Sequence, residues 1–293
     1  MSDVISRLRR NIFIFKRPAK YDEYKSNLEY ALINGYRVIS LEEWFTTDKE
    51  NKTKTLILRH DVDHDPSSAL KICEIEYILG VSSTYYFRWS TLDKDIVQKV
   101  INNGGKVGLH YETISRYAIE NDLVSNNQIT EKVFSTCLVE LKEEISIFKR
   151  ITEQKELSIC AHGNSRNAMI RIVNNHFFKQ GINEKIYEEL GVIFDASDRS
   201  IMDPIDIWIS DRSGFYESWK DGKSLKEAVD EGNRVILFNC HPQHWTDQKK
   251  SMTIRGLSQV VFFFTHPRIA TEVGADVFAF RKFRKGIRSC RNY

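Results

Sequence analysis

The sequence predicts an α/β fold with a parallel sheet, most economically a distorted (β/α)7-8 barrel forming a single domain. Three observations predict it. Strand-like and helix-like segments alternate along the whole chain. No internal repeat and no Ser/Gly/Pro-rich linker divides it. Several apolar strands stop abruptly at histidine or aspartate, where parallel α/β folds collect chemistry. A chain of 293 residues is an ordinary length for one such domain.

The elements follow in order. Tyr24, Leu28, Ala31 and Leu32 recur at helical spacing within Tyr21–Ile33, and Asn34-Gly35 stops that helix. Tyr36–Ser40 reads as a short strand, followed by a helical turn over Leu41–Thr47. Thr55-Leu56-Ile57-Leu58 is apolar or β-branched and reads as a buried strand. The pattern then changes within one residue to Arg59-His60-Asp61-Val62-Asp63-His64-Asp65-Pro66, and Pro66 fits the first turn of a new helix. That helix carries Ala69, Ile72, Cys73, Ile75, Glu76 and Leu79 and ends at Gly80. Ser82–Phe87 is the next strand, and Asp93–Asn103 a helix closed by Gly104-Gly105. Val107–His110 and Leu157–Gly163 are strands that run into histidines, with a long amphipathic helix over Asn126–Arg150 between them. Glu184–Leu190 reads as a helix. Ile205–Ile209 and Val235–Phe238 read as late strands around a helix near Leu225–Asp230, and the second runs into Asn239-Cys240-His241-Pro242. This divides the chain into a basic arm with the first β/α elements (1–54), a barrel (55–275) and a basic tail (276–293).

Composition narrows the class. With 41% hydrophobic and 28% charged residues the chain is that of a globular protein. A net charge of +3 is too small to argue for nucleic acid, and the basic residues are not interleaved with a recognisable nucleic-acid module. No apolar run approaches the roughly 20 residues of a membrane span. Asn11–Phe15 is too short for the apolar part of a signal peptide, and Lys16-Arg17 follows at once. The five cysteines are scattered and never form a C-x-x-C pair, as in core cysteines of a reducing cytoplasm. A cytoplasmic location is expected. Solvated termini are the simpler reading of the basic arm and tail, with weak peripheral membrane contact as the other.

The chemistry collects at strand ends. In an extended segment Asp61 and Asp63 share a face while Val62 turns back. Two adjacent carboxylates repel unless a cation separates them or one keeps its proton. Alone, the stretch reads more simply as a solvated acidic turn capping the next helix. His110, His162 and His241, however, each end a strand of their own, and in a parallel barrel those ends meet on one face. One carboxylate and two imidazoles are the usual protein ligands of a catalytic zinc or similar divalent ion.

Five motifs then carry a resemblance: His-Asp-Val-Asp (60–63), Gly-Leu-His-Tyr-Glu (108–112), Cys-Ala-His-Gly-Asn (160–164), Ile-Ser-Asp-Arg-Ser-Gly (209–214) and Cys-His-Pro-Gln-His-Trp (240–245). In this order they resemble the motifs of the polysaccharide deacetylases, and more closely the His-Asp-Val-Asp branch met in surface-polysaccharide synthesis. The resemblance covers Thr55 to Trp245. It implies a distorted barrel holding one divalent ion, zinc by preference, that removes N- or O-acetyl groups from sugars. By position, Asp61 corresponds to the catalytic base, Asp63 to the metal-binding aspartate, His110 to the first metal histidine and His241 to the general acid. Four residues after His110 the main family has a second histidine where this chain has Ile114, so the resemblance places the third ligand at His162. Val62 separates two acids that the family usually keeps adjacent, which leaves the roles of Asp61 and Asp63 exchangeable.

Around these stand supporting candidates. Asp211 and Glu112 suit the second ring nitrogen of a histidine. Arg59, Arg166 and Arg212 suit an acid or an anionic sugar. His64 is either a supporting group or solvent-facing. Trp245, Trp89 and Trp208 suit a pyranose ring, with core packing the simpler role for each. The expectation is a metal-dependent deacetylase acting on an amino sugar or surface-polysaccharide precursor. The alternative is a deacetylase-like scaffold that binds a glycan or partner without catalysis; Ile114 favours it, and the joint presence of base, acid and ligands opposes it. A His-Asp phosphohydrolase fits less well, because that site is carried on helices and His60-Asp61 follows a β-rich run.

Overall fold

The computed structural model describes residues 17–47, 53–179, 184–211, 223–247 and 280–281. They form an α/β fold with strands and helices in alternation: α1 (Tyr21–Ile33), β1 (Arg37–Ser40), α2 (Leu41–Thr46), β2 (Thr55–Val62), α3 (Pro66–Leu79), β3 (Thr84–Phe87), α4 (Lys94–Asn102), β4 (Lys106–Tyr111), α5 (Thr113–Glu120), α6 (Glu131–Thr152), β5 (Leu157–Ala161), α7 (Ser165–Ile170), α8 (His176–Lys179), α9 (Glu184–Leu190), β6 (Val192–Asp195), α10 (Arg199–Met202), β7 (Ile207–Ser210), α11 (Leu225–Asp230) and β8 (Val235–Cys240). The chain folds as two compact units interleaved in sequence. One gathers the described residues of Met1–Tyr85, Lys99–Lys106 and Asp203–Leu257, the other those of Tyr86–Gln98, Val107–Met202 and Ser258–Tyr293.

In the first unit β2 pairs in parallel with β1, from Arg37↔Thr55 to Ser40↔Leu58, and with β8, from Thr55↔Val235 to His60↔Cys240. β7 in turn pairs in parallel with β8. Every residue of β2 and β8 is buried, which is why both read as continuous apolar runs rather than alternating ones. β2 runs four residues beyond its apolar pattern, through Arg59, His60 and Asp61 to Val62. These polar side chains tolerate burial because each is paired, as described below. α1 buries Tyr24, Leu28 and Ala31 on one stripe. α3 starts where the sequence signals it: Asp65 accepts the backbone N–H of Ser67 at 3.1 Å, Pro66 takes the first turn, and Gly80 ends the helix at φ 69°. Asp65 is therefore a helix cap, while Asp63 and His64 sit half-buried in the bend before it.

In the second unit β5 pairs in parallel with β4, from Leu109↔Ile159 to Tyr111↔Ala161, and with β6 across a register shift. A Cβ on Gly108 would lie 2.5 Å from both the Ser158 carbonyl and the Tyr86 ring, so only glycine allows this strand approach. The four-residue β6 and the helices α5, α7, α8 and α10, four to eight residues long, are absent from the sequence expectation. α6 begins at Glu131 rather than Asn126: Ser125 and Gln128 box a separate 3-10 turn over Asn126–Gln128. Its buried stripe includes Cys137, Leu141, Ile145 and Phe148.

The tail, expected from its charge to be solvated, is packed where it is described. Phe280 is 3% exposed, with its ring 4.1 Å from the Arg116 guanidinium and 5.1 Å from Trp89, and Arg281 pairs with Glu120 at 3.0 Å. A buried guanidinium offers an aromatic ring a cation–π contact as well as apolar cover. The rest of the tail lies outside the described residues, as do Arg212 and Cys290. Cys73, Cys137, Cys160 and Cys240 are buried and form no disulfide among the described residues. Among the described residues, no helix is long and apolar enough to cross a membrane.

Candidate functional site

In the first unit the pleat of β2 sorts its polar residues by face. Arg59 and Asp61, two residues apart, share one face. The guanidinium grips the carboxylate with two bonds, Nε to Oδ1 at 2.9 Å and Nη2 to Oδ2 at 2.8 Å. Asn239, the register partner of Arg59 on β8, donates to the same Oδ2 at 3.2 Å. Asp61 is thus held in one orientation by a fork and an amide. His60 serves different partners. It is fully buried, and its Nε2 lies 2.7 Å from Glu76 on α3, which also accepts from Tyr24, Ser83 and Tyr85. Burial pushes the Glu76 carboxyl up, but the His60 charge and these donors outweigh it and hold the group below the usual range. The His-Asp dipeptide is therefore split between a buried support and a presented acid.

The same unit builds a second cluster past β7 and β8. Asp211 follows β7, and both its oxygens accept the backbone N–H of His241 at 3.0 Å. The His241 Nδ1 lies 2.6 Å from Asp211 Oδ1, and its Nε2 is 3.6 Å from Asp63 Oδ2. Trp245 donates its indole N–H to Asp211 Oδ2 at 3.1 Å, and His244 Nδ1 is 3.3 Å from that oxygen. Burial works against the His241 cation, yet Asp211, then Asp63 and Asp61, outweigh it and raise the imidazole to about 10. The same pairing holds Asp211 below the usual carboxylate range against its own burial. His241 therefore carries its proton at neutral pH, the state of a general acid. The ligand atoms of Asp211, His241 and His244 all lie within 4.8 Å of one another, a group able to hold a metal ion.

In the second unit two histidines stand together. His110, near the end of β4, has Nδ1 3.0 Å from the carbonyl of Cys160. A carbonyl only accepts, so Nδ1 carries the hydrogen and Nε2 carries the lone pair in the neutral ring. His162, one residue past β5, has Nδ1 2.6 Å from Glu112 Oε1. Glu112 in turn takes Arg88 Nη2 at 2.9 Å and the Asn164 amide at 3.0 Å. The Asn174 amide donates to the His162 carbonyl at 2.6 Å, fixing the backbone there. The two imidazoles are 4.9 Å apart between centroids and inclined by 76°. Both are thus pinned through Nδ1, the arrangement that orients Nε2 toward a metal. Ile114 is fully buried in α5.

The remaining candidates have other partners. Arg166 donates to the carbonyl of Leu123 at 2.9 Å and so ties α7 to the loop after α5. Trp245 is buried, edge-on to Tyr24 at 5.3 Å, and supports Asp211 instead of offering a face to a sugar. Trp89 is buried with its N–H on Glu144 at 2.6 Å, and Trp208 is partly covered in β7. Arg88, Asn239 and His244 were not singled out from the sequence. Arg88 directly follows the β-rich Thr84–Phe87 run, the same strand-end signal that marks His110. Asn239 is a polar residue within a buried run, a signal that it has a partner. Nothing in the pattern separates His244 from a solvated turn histidine. No protein-family model, no curated protein and no solved structure matches the chain.

Proposed function

We propose that the protein is a metal-dependent deacetylase that hydrolyses an acetyl group from an amino sugar or surface-polysaccharide precursor. We read its parallel α/β sheet as a distorted barrel. The observation that carries the proposal is the histidine pair of the second unit: His110 and His162 each commit Nδ1 to an acceptor, Cys160 O and Glu112. Imidazoles fixed in this way are the donor type of a zinc-class site, and Asp63 supplies the carboxylate that the five-motif resemblance assigns. A divalent ion held by these residues would supply Lewis acidity toward the acetyl carbonyl and make water a better nucleophile.

The chain's own residues supply the proton transfers. Asp61, held by Arg59 and Asn239, takes the proton of the attacking water. His241, protonated through Asp211, delivers its proton to the departing amine or alkoxide. The acetyl C–N or C–O bond breaks as the new C–O bond to water forms, giving acetate and the free amine or hydroxyl.

The test is acetate release from acetylated amino sugars by zinc-loaded protein. Asp61→Asn and His241→Ala should each lower turnover by roughly a hundred- to ten-thousand-fold with zinc still bound. Zinc content that collapses in Asp61→Asn but survives in Asp63→Asn would exchange those two roles. Failure of the loaded, unmutated protein to release acetate from any acetylated glycan would overturn the proposal, and retained glycan binding would then identify a non-catalytic scaffold.

A further inference from the structure

His244 has no part in the reaction proposed above, yet it completes a cluster lying wholly within the first unit. It closes the 3-10 turn Pro242–His244, held by His244 N–H to His241 O at 2.8 Å and Trp245 N–H to Pro242 O at 3.0 Å. The turn places the two histidines three residues apart, with ring centroids 5.0 Å apart, both against the carboxylate of Asp211. We infer that Asp211, His241 and His244 form a second binding site for a divalent cation of the zinc class, separate from the one that uses His110 and His162.

The spacings favour it. Two ligand atoms at zinc bond lengths of 2.0–2.1 Å in a tetrahedron stand about 3.3–3.4 Å apart. Asp211 Oδ2 and His244 Nδ1 are 3.3 Å apart, slightly long for an N–H···O bond and right for two corners of such a site. His241 Nδ1, at 2.6 Å from Oδ1, is at hydrogen-bond spacing and would have to withdraw by about 0.7 Å. The carboxylate needs little reorganisation, because the His241 backbone N–H and the Trp245 indole already fix it. Its burial, 4% exposed against 11% for the His244 side chain, excludes competing water. The Nε2 edge of His241 faces Asp63, so the cation would bind the ring's other nitrogen. It would replace the hydrogen between Asp211 and His241, which makes this site the weaker of the two.

One consequence rests on the deacetylase reading: surplus zinc would slow turnover, because a cation on His241 Nδ1 replaces the imidazolium by a metal-bound ring whose remaining Nε2–H is a weaker acid. The binding itself does not rest on it. Equilibrium dialysis of the full chain against zinc chloride tests the inference. The unmutated protein should take up two equivalents. His244→Ala should lose the weaker one, by more than the roughly 10- to 100-fold that loss of an outer partner causes, and keep the tighter one. His244→Asn repeats the measurement without the imidazole should the alanine variant fail to fold. Retention of both equivalents in these variants would overturn the inference, as would saturation of the unmutated protein at one equivalent that they leave unchanged. A single equivalent lost in His244→Ala and kept in His110→Ala would sustain it while sinking the metal site of the proposed deacetylase.

Discussion

Replacing Glu112 with Gln keeps the shape of the side chain and removes its charge. That charge has two dependants. Arg88, 1% exposed, pairs with Oε2 at 2.9 Å, and His162 Nδ1 meets Oε1 at 2.6 Å. Removing one member of a buried ion pair costs about 3–5 kcal/mol, because the other charge stays buried. The one amide oxygen of Gln, kept on His162, leaves the Arg88 guanidinium facing an amide NH2, so the full range of about 3–5 kcal/mol is expected. At His162 a charge-assisted bond becomes a neutral one, from about 1.5–3 kcal/mol to about 1 kcal/mol. If His162 is a ligand, weakening its outer partner should lower zinc affinity by roughly 10- to 100-fold, equal to about 1.4–2.7 kcal/mol.

The two effects separate in the assay. Chemical unfolding of metal-free protein reads the ion pair, and competition with a zinc chelator reads the ligand. A merely structural Glu112 would move the first and leave the second alone. A Gln variant that folds, loses stability as worked out here and keeps its zinc affinity would refute His162 as an oriented ligand. In Arg88→Met, which leaves Glu112 its charge and His162 its acceptor, zinc affinity should fall less than in the Gln variant.

Three further outcomes follow from other clusters. Glu76→Gln should cost about 3–5 kcal/mol by urea unfolding, since His60 and three hydroxyls depend on that buried carboxylate; because its folded pKa is lowered, the contribution is full above the unfolded value of about 4.3 and lost as pH falls through the folded one, so a variant with an unaltered acid limb would contradict the pairing. His241→Asn should remove the opposite dependence in metal-free protein: a histidine raised to about 10 stabilises fully below about 6.5 and loses that contribution as pH rises toward 10, so the unmutated curve should fall over this window and the variant's should not. Phe280→Ala should destabilise by about 3 kcal/mol or more, the cost of emptying a buried phenyl site plus its contact with Arg116, and a change under about 1 kcal/mol would return the tail to solvent.

What was legible in the sequence follows from period and punctuation. β2 and β8 are buried throughout, so their apolar runs identify them, and Pro66 and Gly80 bracket α3 because each terminus has its own chemistry. β6 carries no comparable signal: four residues after Gly191 are too few for a period. The polar end of β2 misleads in another way. Charge there suggests a turn, but Arg59 satisfies Asp61 and Glu76 satisfies His60, and paired groups remain in a strand. Glu76 sits at the helical spacing of Ala69, Ile72 and Cys73, and a carboxylate on that stripe is a sign of a buried partner. Arg88, by contrast, pairs with Glu112, which is 24 residues away in sequence. The tryptophans resolve toward packing: Trp245 and Trp89 spend their N–H groups on Asp211 and Glu144.

The three strand-end histidines look alike in sequence and differ in what holds Nδ1. His110 meets a carbonyl, which fixes the tautomer without adding charge. His162 meets a carboxylate that is also paired with the Arg88 guanidinium, so Glu112 fixes the orientation of the ring. His241 meets Asp211, whose partners among the described residues are two imidazoles, an indole and a backbone N–H, with no guanidinium among them. Its negative charge therefore acts on the imidazole and keeps it protonated. An arginine placed beside Asp211, by substitution of a neighbour that leaves the His241 bond intact, should therefore lower the His241 pKa. Titration of its ring signals by NMR would show the shift, and an unmoved titration would mean that Asp63 and Asp61, not Asp211, hold the proton on His241.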